Sequence, residues 1–187
     1  MKKLLSALVC LLLATPALAG NVDPGSLPQI GSVAPAFGLH PFASKVDADE
    51  AREKVELDDH CGMFPGDTKL VLLVFSNAVS LQGDLEAVDA MRKKHGKRGF
   101  VPIVLSTDAD SQSAREAVAK TRFTFPILDD GYKIVSARYG IPSSPFTFLL
   151  DGGCRVLGLS DKSLSVDGDR IAQTVDTVLS GKLGEVE

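Results

Sequence analysis

The stretch LVLLVFSNAVSLQGDLEAV, residues 70–88, predicts a buried strand that leads through a short loop into an amphipathic helix. The run from Leu70 to Phe75 is wholly apolar, which is typical of a strand covered on both faces. Apolar side chains then recur at helical spacing, at Leu81, Leu85, Val88 and Met91. The helix is expected to end at His95, so this stretch specifies one strand and one helix of the core.

A second strand and helix are predicted directly downstream. Phe100 to Leu105 forms another apolar run, and Ser113 with Glu116 matches a capping box for a helix through Lys120. Strand–helix–strand units connect parallel strands with a right-handed crossover. The first two strands should therefore be parallel.

The C-terminal part of the chain predicts a hairpin and a final helix. Residues 146–159, FTFLLDGGCRVLGL, contain two apolar strands joined by the Asp-Gly-Gly turn of residues 151–153. A helix opened by Asp167 or Asp169 follows. Its apolar face consists of Ile171, Val175, Val178 and Leu179. Together these patterns predict an α/β fold with a central mixed β-sheet flanked by helices.

The N-terminus has the composition of a secretory signal peptide. Residues 1–19 contain two lysines, an apolar run (4–13) and a small-residue cleavage site ending at Ala19. The apolar run is shorter than the roughly 20 residues that a spanning helix needs, so no stable membrane anchor is expected. We therefore expect a signal peptide (1–19), a Gly- and Pro-rich lead-in (20–30) and one domain (31–187) of a periplasmic or secreted protein.

The charge of the chain argues against nucleic acid as a partner. The formal net charge is −4, and loss of Lys2 and Lys3 with the signal peptide brings it to −6. The basic cluster RKKHGKR, residues 92–98, lies at the predicted end of a helix, where cations favour the negative end of the helix dipole. We also expect no cofactor.

Several spaced motifs occur in a characteristic order. They are GSVAPAF (31–37), the strand ending at Phe75, FTFPILDD (123–130), YGIPSSP (139–145) and FTFLLDGG (146–153). In this order they resemble the thioredoxin-like redoxin family, and within it the exported TlpA- and ResA-type thiol-disulfide oxidoreductases and the peroxiredoxin (AhpC/TSA) group. The resemblance implies a thioredoxin-like fold, in which a strand–helix–strand unit is followed by an antiparallel hairpin and a helix.

The resemblance also implies a site at the start of the helix after strand 70–75. The thiol-disulfide oxidoreductases carry Cys-x-x-Cys there, whereas this chain has SLQG, with Ser80 and Gly83 at the cysteine positions. Peroxiredoxins place their reactive cysteine at the same helix start, and residues 76–84 contain none. Thiol exchange needs a thiolate, and a serine hydroxyl cannot replace it. No catalytic residue is therefore expected at this site.

Ser80 has two interpretations besides contact with a partner. It can cap the helix by accepting a backbone N–H. It can act as a nucleophile only with an adjacent base, and none of the three histidines, His40, His60 and His95, lies in a recognisable hydrolase motif. The cap is therefore favoured over the nucleophile.

Ser144 and Pro145 match the family's position for a cis-proline loop. In the family this loop places an extended backbone edge beside the helix start, where a partner polypeptide can pair. The proline can equally serve the fold alone, by shaping the turn into the hairpin. If the edge is retained, Ser80, Ser144 and Pro145 are expected to contact an extended polypeptide or another exported protein.

The mature chain keeps two cysteines, Cys61 and Cys154, and an even number in an exported protein suggests a disulfide. The strand from Leu70 and the strand Phe146–Leu150 should be antiparallel neighbours. Their pairing would bring both cysteines to the pole opposite Ser80. The position of the bridge favours a structural role.

Two other interpretations of Cys61 stay open. One is a metal site with Asp58, Asp59 and His60, although adjacent residues rarely converge on one ion. The other is a redox-active pair with Cys154. We thus expect a non-catalytic protein-binding or assembly module, and the alternative is a thiol-disulfide oxidoreductase or peroxiredoxin-like antioxidant protein that uses the two cysteines.

Overall fold

The computed structural model describes residues 25–42, 54–62, 66–108, 112–119 and 123–181 of the 187-residue chain. The expected signal peptide (1–19) and the first part of the lead-in lie outside the described residues. Within the described ranges, no helix combines the length and apolar composition needed to cross a membrane.

The described residues form seven strands and four α-helices. In chain order they are β1 (Gly38–Leu39), β2 (Val55–Glu56), β3 (Leu70–Ser76), α1 (Leu81–His95), β4 (Phe100–Ser106), α2 (Gln112–Ala119), β5 (Ile127–Asp129), α3 (Ile134–Arg138), β6 (Phe146–Asp151), β7 (Val156–Ser160) and α4 (Leu164–Leu179). The strand and helix predicted from residues 70–88 are β3 and α1, and the predicted hairpin is β6–β7.

Five of the strands form one mixed sheet in the order β5-β4-β3-β6-β7. β3 is parallel to β4 and antiparallel to β6. All seven residues of β3 are buried, as a strand without a polar face requires. The predicted α/β class, the parallel first pair and the closing antiparallel hairpin are confirmed.

Each face of the sheet carries its own apolar cluster because alternate residues of β3 point to opposite faces. Leu72 and Val74 pack in the cluster that includes residues of α1, α2 and α4. Leu73 and Phe75 pack on the other face, with residues of α3 and of the chain before β1. The sheet is therefore covered on both sides, and polar groups collect at its ends.

Two predicted helix starts are wrong. α2 begins at Gln112, which places Ser113 inside the helix, and the predicted end at Lys120 lies outside the described residues. α4 begins at Leu164 with Ser163 at the cap position, so Asp167 belongs to the helix. Asp167 instead accepts hydrogen bonds from Ser160 and Arg170, and these lower its pKa to about 2.

The structure joins Cys61 and Cys154 by a disulfide whose Cα atoms are 5.1 Å apart. Both cysteines are buried, with exposed fractions of 0% and 4%. Cys154 follows β6, whose last residue pairs with Leu70 at the start of β3. The bridge therefore lies at the amino end of the central strand.

Removal of the disulfide is expected to lower the free energy of unfolding by about 2–5 kcal/mol, because the bridge closes a loop across a sequence separation of 93 residues. Urea unfolding of the oxidised chain and of the Cys61→Ser, Cys154→Ser double variant measures the difference. Reductant should destabilise the wild type and leave the double variant unchanged. Equal unfolding midpoints for the two proteins would contradict the prediction.

Candidate functional site

The candidate site lies at the carboxyl end of β3, where the chain turns into α1. The start of β6 reaches the same end of the sheet, because β6 runs antiparallel to β3 and Phe75 pairs with Phe146. The Ser144–Pro145 peptide bond directly before it is cis, as the resemblance implied. The topology thus brings Ser80 and the Ser144–Pro145 loop to one place.

Asn77 connects these two parts of the site. Its Oδ1 accepts hydrogen bonds from the main-chain N–H groups of Val79 and Ser80, each at 3.0 Å. Its Nδ2 donates to the carbonyl oxygen of Ser144 at 2.7 Å. One lone pair of the Ser144 carbonyl, a group expected to face a partner, is therefore already occupied by this chain.

Ser80 lies at the N-cap position of α1, as predicted, but its side chain does not accept the predicted backbone N–H. Ser80 has helical backbone angles, φ −89° and ψ −19°, and its side chain makes no capping hydrogen bond. The N–H of Leu81 bonds to the carbonyl of Asn77 at 2.9 Å, so the first turn reaches back to Asn77. Asn77 supplies the capping oxygen instead, a role for which asparagine is well suited.

Ser80 takes part in a polar chain that leads into the interior. Its Oγ lies 2.8 Å from the Oγ of Ser76, the last residue of β3. Ser76 Oγ in turn donates to Oδ2 of Asp84 at 2.6 Å. Ser80 is half-buried, whereas Ser76 and Asp84 are fully buried, so the chain links the surface to the core.

Asp84 also ties the site to α4. Its Oδ1 accepts a hydrogen bond from the main-chain N–H of Leu164 at 2.7 Å, and Leu164 is the first residue of α4. Burial raises the pKa of Asp84, and the polar groups of Ser76, Leu164 and Ser80 oppose that rise; of these, Ser76 and the Leu164 N–H lie within hydrogen-bond distance of the carboxyl. One carboxyl group thereby holds β3, α1 and α4 together.

Thr107 and Asp108 fix the loop from the β4 side. Thr107 bonds to the carbonyl oxygen of Ser76 through both its main-chain N–H and its Oγ1, and its Oγ1 lies 2.8 Å from Ser144 Oγ. Asp108 accepts a hydrogen bond from the N–H of Ala78 at 3.2 Å. These contacts hold the residues before Ser80 in a defined geometry.

Three exposed apolar side chains lie on elements that reach this end of the sheet. Val79, next to Ser80, is 95% exposed, and Tyr132, which follows β5 at the same end of the sheet, is 92% exposed. Val166 in the first turn of α4 is 73% exposed, and its neighbour Ser165 lies against Gly83 of α1. Apolar side chains this exposed favour contact with another molecule where they gather around one site.

The sulfur chemistry of the described residues lies elsewhere. Cys61 and Cys154 are bonded to each other at the opposite end of β3, roughly 20 Å from Ser80 by the length of that strand. Within the described ranges, the hydroxyl of Ser80 contacts Ser76 and Asn77, and no imidazole is among its hydrogen-bond partners. Its hydrogen bonds place Ser80 in position without making it a nucleophile.

Two of the four candidate metal ligands around Cys61 have other partners. The sulfur of Cys61 is in the disulfide, and Asp59 accepts a hydrogen bond from the N–H of Glu56. Within the described ranges, no three histidine, cysteine, aspartate or glutamate residues come together as a metal site.

The roles of Asn77 and Asp84 were not predicted from the sequence. Asp84 had a detectable signal, because it lies three residues after Leu81 and therefore on the buried face of α1. Asn77 follows a buried strand directly and precedes a helix, which is a capping pattern. The contacts to Ser144 and Leu164, 67 and 80 residues away, depend on tertiary structure alone.

No protein-family model matches the sequence, and no curated protein matches it significantly. Solved structures do match. A Chlorobium tepidum protein provisionally described as a thiol:disulfide interchange protein DsbE is 22% identical, with a TM-score of 0.66 over 81% of this chain and 99% of that chain. The thioredoxin domain of a Bacteroides vulgatus thiol-disulfide oxidoreductase is 20% identical, with a TM-score of 0.62 over 81% and 98%.

Mycobacterium tuberculosis AhpC is also 20% identical, with a TM-score of 0.60 over 84% of this chain and 96% of that chain. Similarity at this level of identity shows the fold alone. The chain has the thioredoxin-like fold of thiol-disulfide oxidoreductases and peroxiredoxins, as the sequence motifs implied.

Asn77→Ala is expected to lower the free energy of unfolding by about 1–3 kcal/mol, because two N–H groups lose their acceptor and the Ser144 carbonyl loses a donor. Asn77→Ser is the matched control, since a serine hydroxyl can still cap the helix while the amide that donates to Ser144 is removed without adding a charge. Its loss should be smaller. Urea unfolding gives both values, and a loss confined to the serine variant would refute the assignment.

Asp84→Asn is expected to stabilise the protein at neutral pH. The raised pKa of Asp84 contributes stability that is fully present below the unfolded value of about 3.9 and is lost as pH rises through the folded pKa. The asparagine stays neutral and can still accept from Leu164 and donate to Ser76. Urea unfolding between about pH 4 and pH 8 should show wild type losing stability relative to the variant.

Asp167→Asn is the control of opposite sign for this experiment. The lowered pKa of Asp167 contributes stability that is present above about pH 4 and lost as pH falls toward 2. This variant should therefore be less stable than wild type at neutral pH. The assignment of Asp84 fails if both variants change stability in the same direction.

Proposed function

We propose that the chain is a non-catalytic polypeptide-binding module, built on a thioredoxin-like fold and acting outside the cytoplasm. One observation carries the proposal: at the helix start where related folds hold a reactive thiol, this chain has Ser80, hydrogen-bonded to Ser76 and Asn77. A hydroxyl there can position a bound chain, whereas it cannot exchange disulfides or reduce peroxide.

The surface around Ser80 supports binding of an extended polypeptide. The exposed side chains of Val79, next to Ser80, and of Tyr132, after β5 at the same end of the sheet, offer apolar contacts. Ser80 and the Ser144–Pro145 loop contribute polar groups. Because Asn77 already bonds the Ser144 carbonyl, side-chain contacts should contribute more to affinity than pairing with that carbonyl.

The second candidate function is thiol-disulfide exchange or peroxide reduction by Cys61 and Cys154. It is supported by the printed descriptions of the similar structures, an interchange protein and an oxidoreductase among them. The burial of both sulfurs argues against it, because an attacking thiolate must reach a disulfide sulfur. The partner of the module is proposed to be another exported protein.

Turnover assays separate the two functions. The full mature chain should show no acceleration of insulin reduction by dithiothreitol and no thiol-dependent peroxide consumption, with an active thioredoxin and an active peroxiredoxin as positive controls. Turnover that Cys61→Ser abolishes would establish the second candidate and overturn the first.

Binding is tested with carboxymethylated α-lactalbumin, an unfolded chain without free thiols, by fluorescence anisotropy. Val79→Asp should weaken binding about tenfold or more, because it places a charge where the bound polypeptide would cover the valine side chain. The variant should fold, since an acidic residue is favourable near a helix start. Ile30→Asp is the matched control, because Ile30 is also exposed, at 69%, and lies on the segment before β1. Equal affinities for wild type and Val79→Asp would contradict the proposed surface.

A further inference from the structure

The number of available hydrogens limits which groups can donate in the hydrogen bonds that link Asp84, Ser76 and Ser80. A serine hydroxyl has one hydrogen to donate, and an ionised carboxylate has none. The contacts are Asp84 Oδ2 to Ser76 Oγ at 2.6 Å and Ser76 Oγ to Ser80 Oγ at 2.8 Å. Within the described structure, Ser76 Oγ has no other hydrogen-bond partner.

When Asp84 is ionised, the donor and the acceptor of each hydrogen bond between Asp84, Ser76 and Ser80 are determined. Ser76 must donate its hydrogen to Asp84, because the carboxylate can only accept. The contact between the two serines then requires Ser80 to donate to Ser76. Ser80 is left with lone pairs facing outward, so it presents an acceptor at the site.

When Asp84 is protonated, the direction reverses. Oδ1 accepts from the main-chain N–H of Leu164 at 2.7 Å and cannot hold the proton along that contact. The proton therefore lies on Oδ2 and is donated to Ser76, whose own hydrogen turns toward Ser80. The hydrogen of Ser80 is then released to a ligand, or to the longer contact with Asn77 Oδ1 at 3.3 Å.

We infer that Asp84, Ser76 and Ser80 form a hydrogen-bond relay in which the protonation of Asp84 decides whether Ser80 presents an acceptor or a donor to a bound polypeptide. A main-chain N–H of the partner fits the ionised state, and a carbonyl oxygen fits the protonated state. The reference to a polypeptide rests on the proposed function. The relay itself depends only on the contacts within this chain.

The surroundings of Asp84 allow this reversal. Burial is the largest influence on the pKa of Asp84 and raises it above the usual value for an aspartate. Among the described residues, the groups that act on that pKa are uncharged: Ser76 on β3, Ser80 before α1 and the Leu164 main chain of α4. On α4, the charges of Asp167 and Arg170 bond each other. Asp84 is thus a positioning residue that acts through Ser76.

Carbon NMR on the full mature chain tests the relay without a partner. The carboxyl carbon of Asp84 and the Cβ of Ser80 should titrate with the same midpoint in wild type. In Ser76→Ala the Asp84 signal should still titrate, while most of the Ser80 response is lost because the intervening hydroxyl is gone. A merely structural role for Ser76 would not separate the two responses.

Three outcomes would overturn the relay: Asp84 stays in one protonation state over the whole folded range, it titrates in wild type while Ser80 does not respond, or Ser80 responds equally in wild type and in Ser76→Ala. The last result would show that the charge of Asp84 acts through space. If Ser76→Ala does not fold, Ser76→Cys replaces it, since a thiol is close to a hydroxyl in size and a weak hydrogen-bonding group.

A binding arm connects the relay to the proposed function. Affinity for carboxymethylated α-lactalbumin should change with pH at the Asp84 midpoint in wild type and lose that change in Asp84→Asn. Binding without this pH dependence leaves the module intact and removes the role of the relay in binding. Joint titration without any binding retains the relay and removes the proposed function.

Discussion

Burial of β3 on both faces is the constraint on which the rest of the structure depends. A strand of seven buried residues has to be covered on each side and paired on each edge. The helices α1 and α4 cover one face, and α3 and the chain before β1 cover the other. The strands β4 and β6 pair with β3 on its two sides. The disulfide therefore lies at one end of the strand and Ser80 at the other.

At the carboxyl end of β3, the buried interior extends to residues of the candidate site. Ser76 and Asp84 are fully buried, so their polar atoms need partners inside the protein. They find them in each other, in Ser80 and in the first N–H of α4. The same contacts that satisfy the buried carboxyl also fix the position of Ser80, which explains why an internal network and a surface site share residues.

The sequence contained the elements of the fold and only part of the site. An uninterrupted apolar run predicted β3, and apolar residues at helical spacing predicted α1. The expected strand order placed Cys61 near Cys154. These features depend on local pattern or on strand order. The predicted starts of α2 and α4 were wrong, since several nearby polar residues, Ser163 among them, fit a helix start equally well. The roles of Asn77 and Asp84 depend on partners 67 and 80 residues away, and no local pattern encodes such contacts.

The surroundings of Ser80 do not favour a reactive anion. A helix start activates a cysteine through unpaired N–H groups and a positive potential. Here Asn77 occupies the N–H groups of Val79 and Ser80, and the carboxyl of Asp84 lies two hydrogen bonds from Ser80. A negative carboxylate opposes a nearby thiolate, whereas it orients a neutral hydroxyl through Ser76. The site is consistent as a whole with a hydroxyl that binds, because the groups that would stabilise a reactive anion are already used to hold the loop.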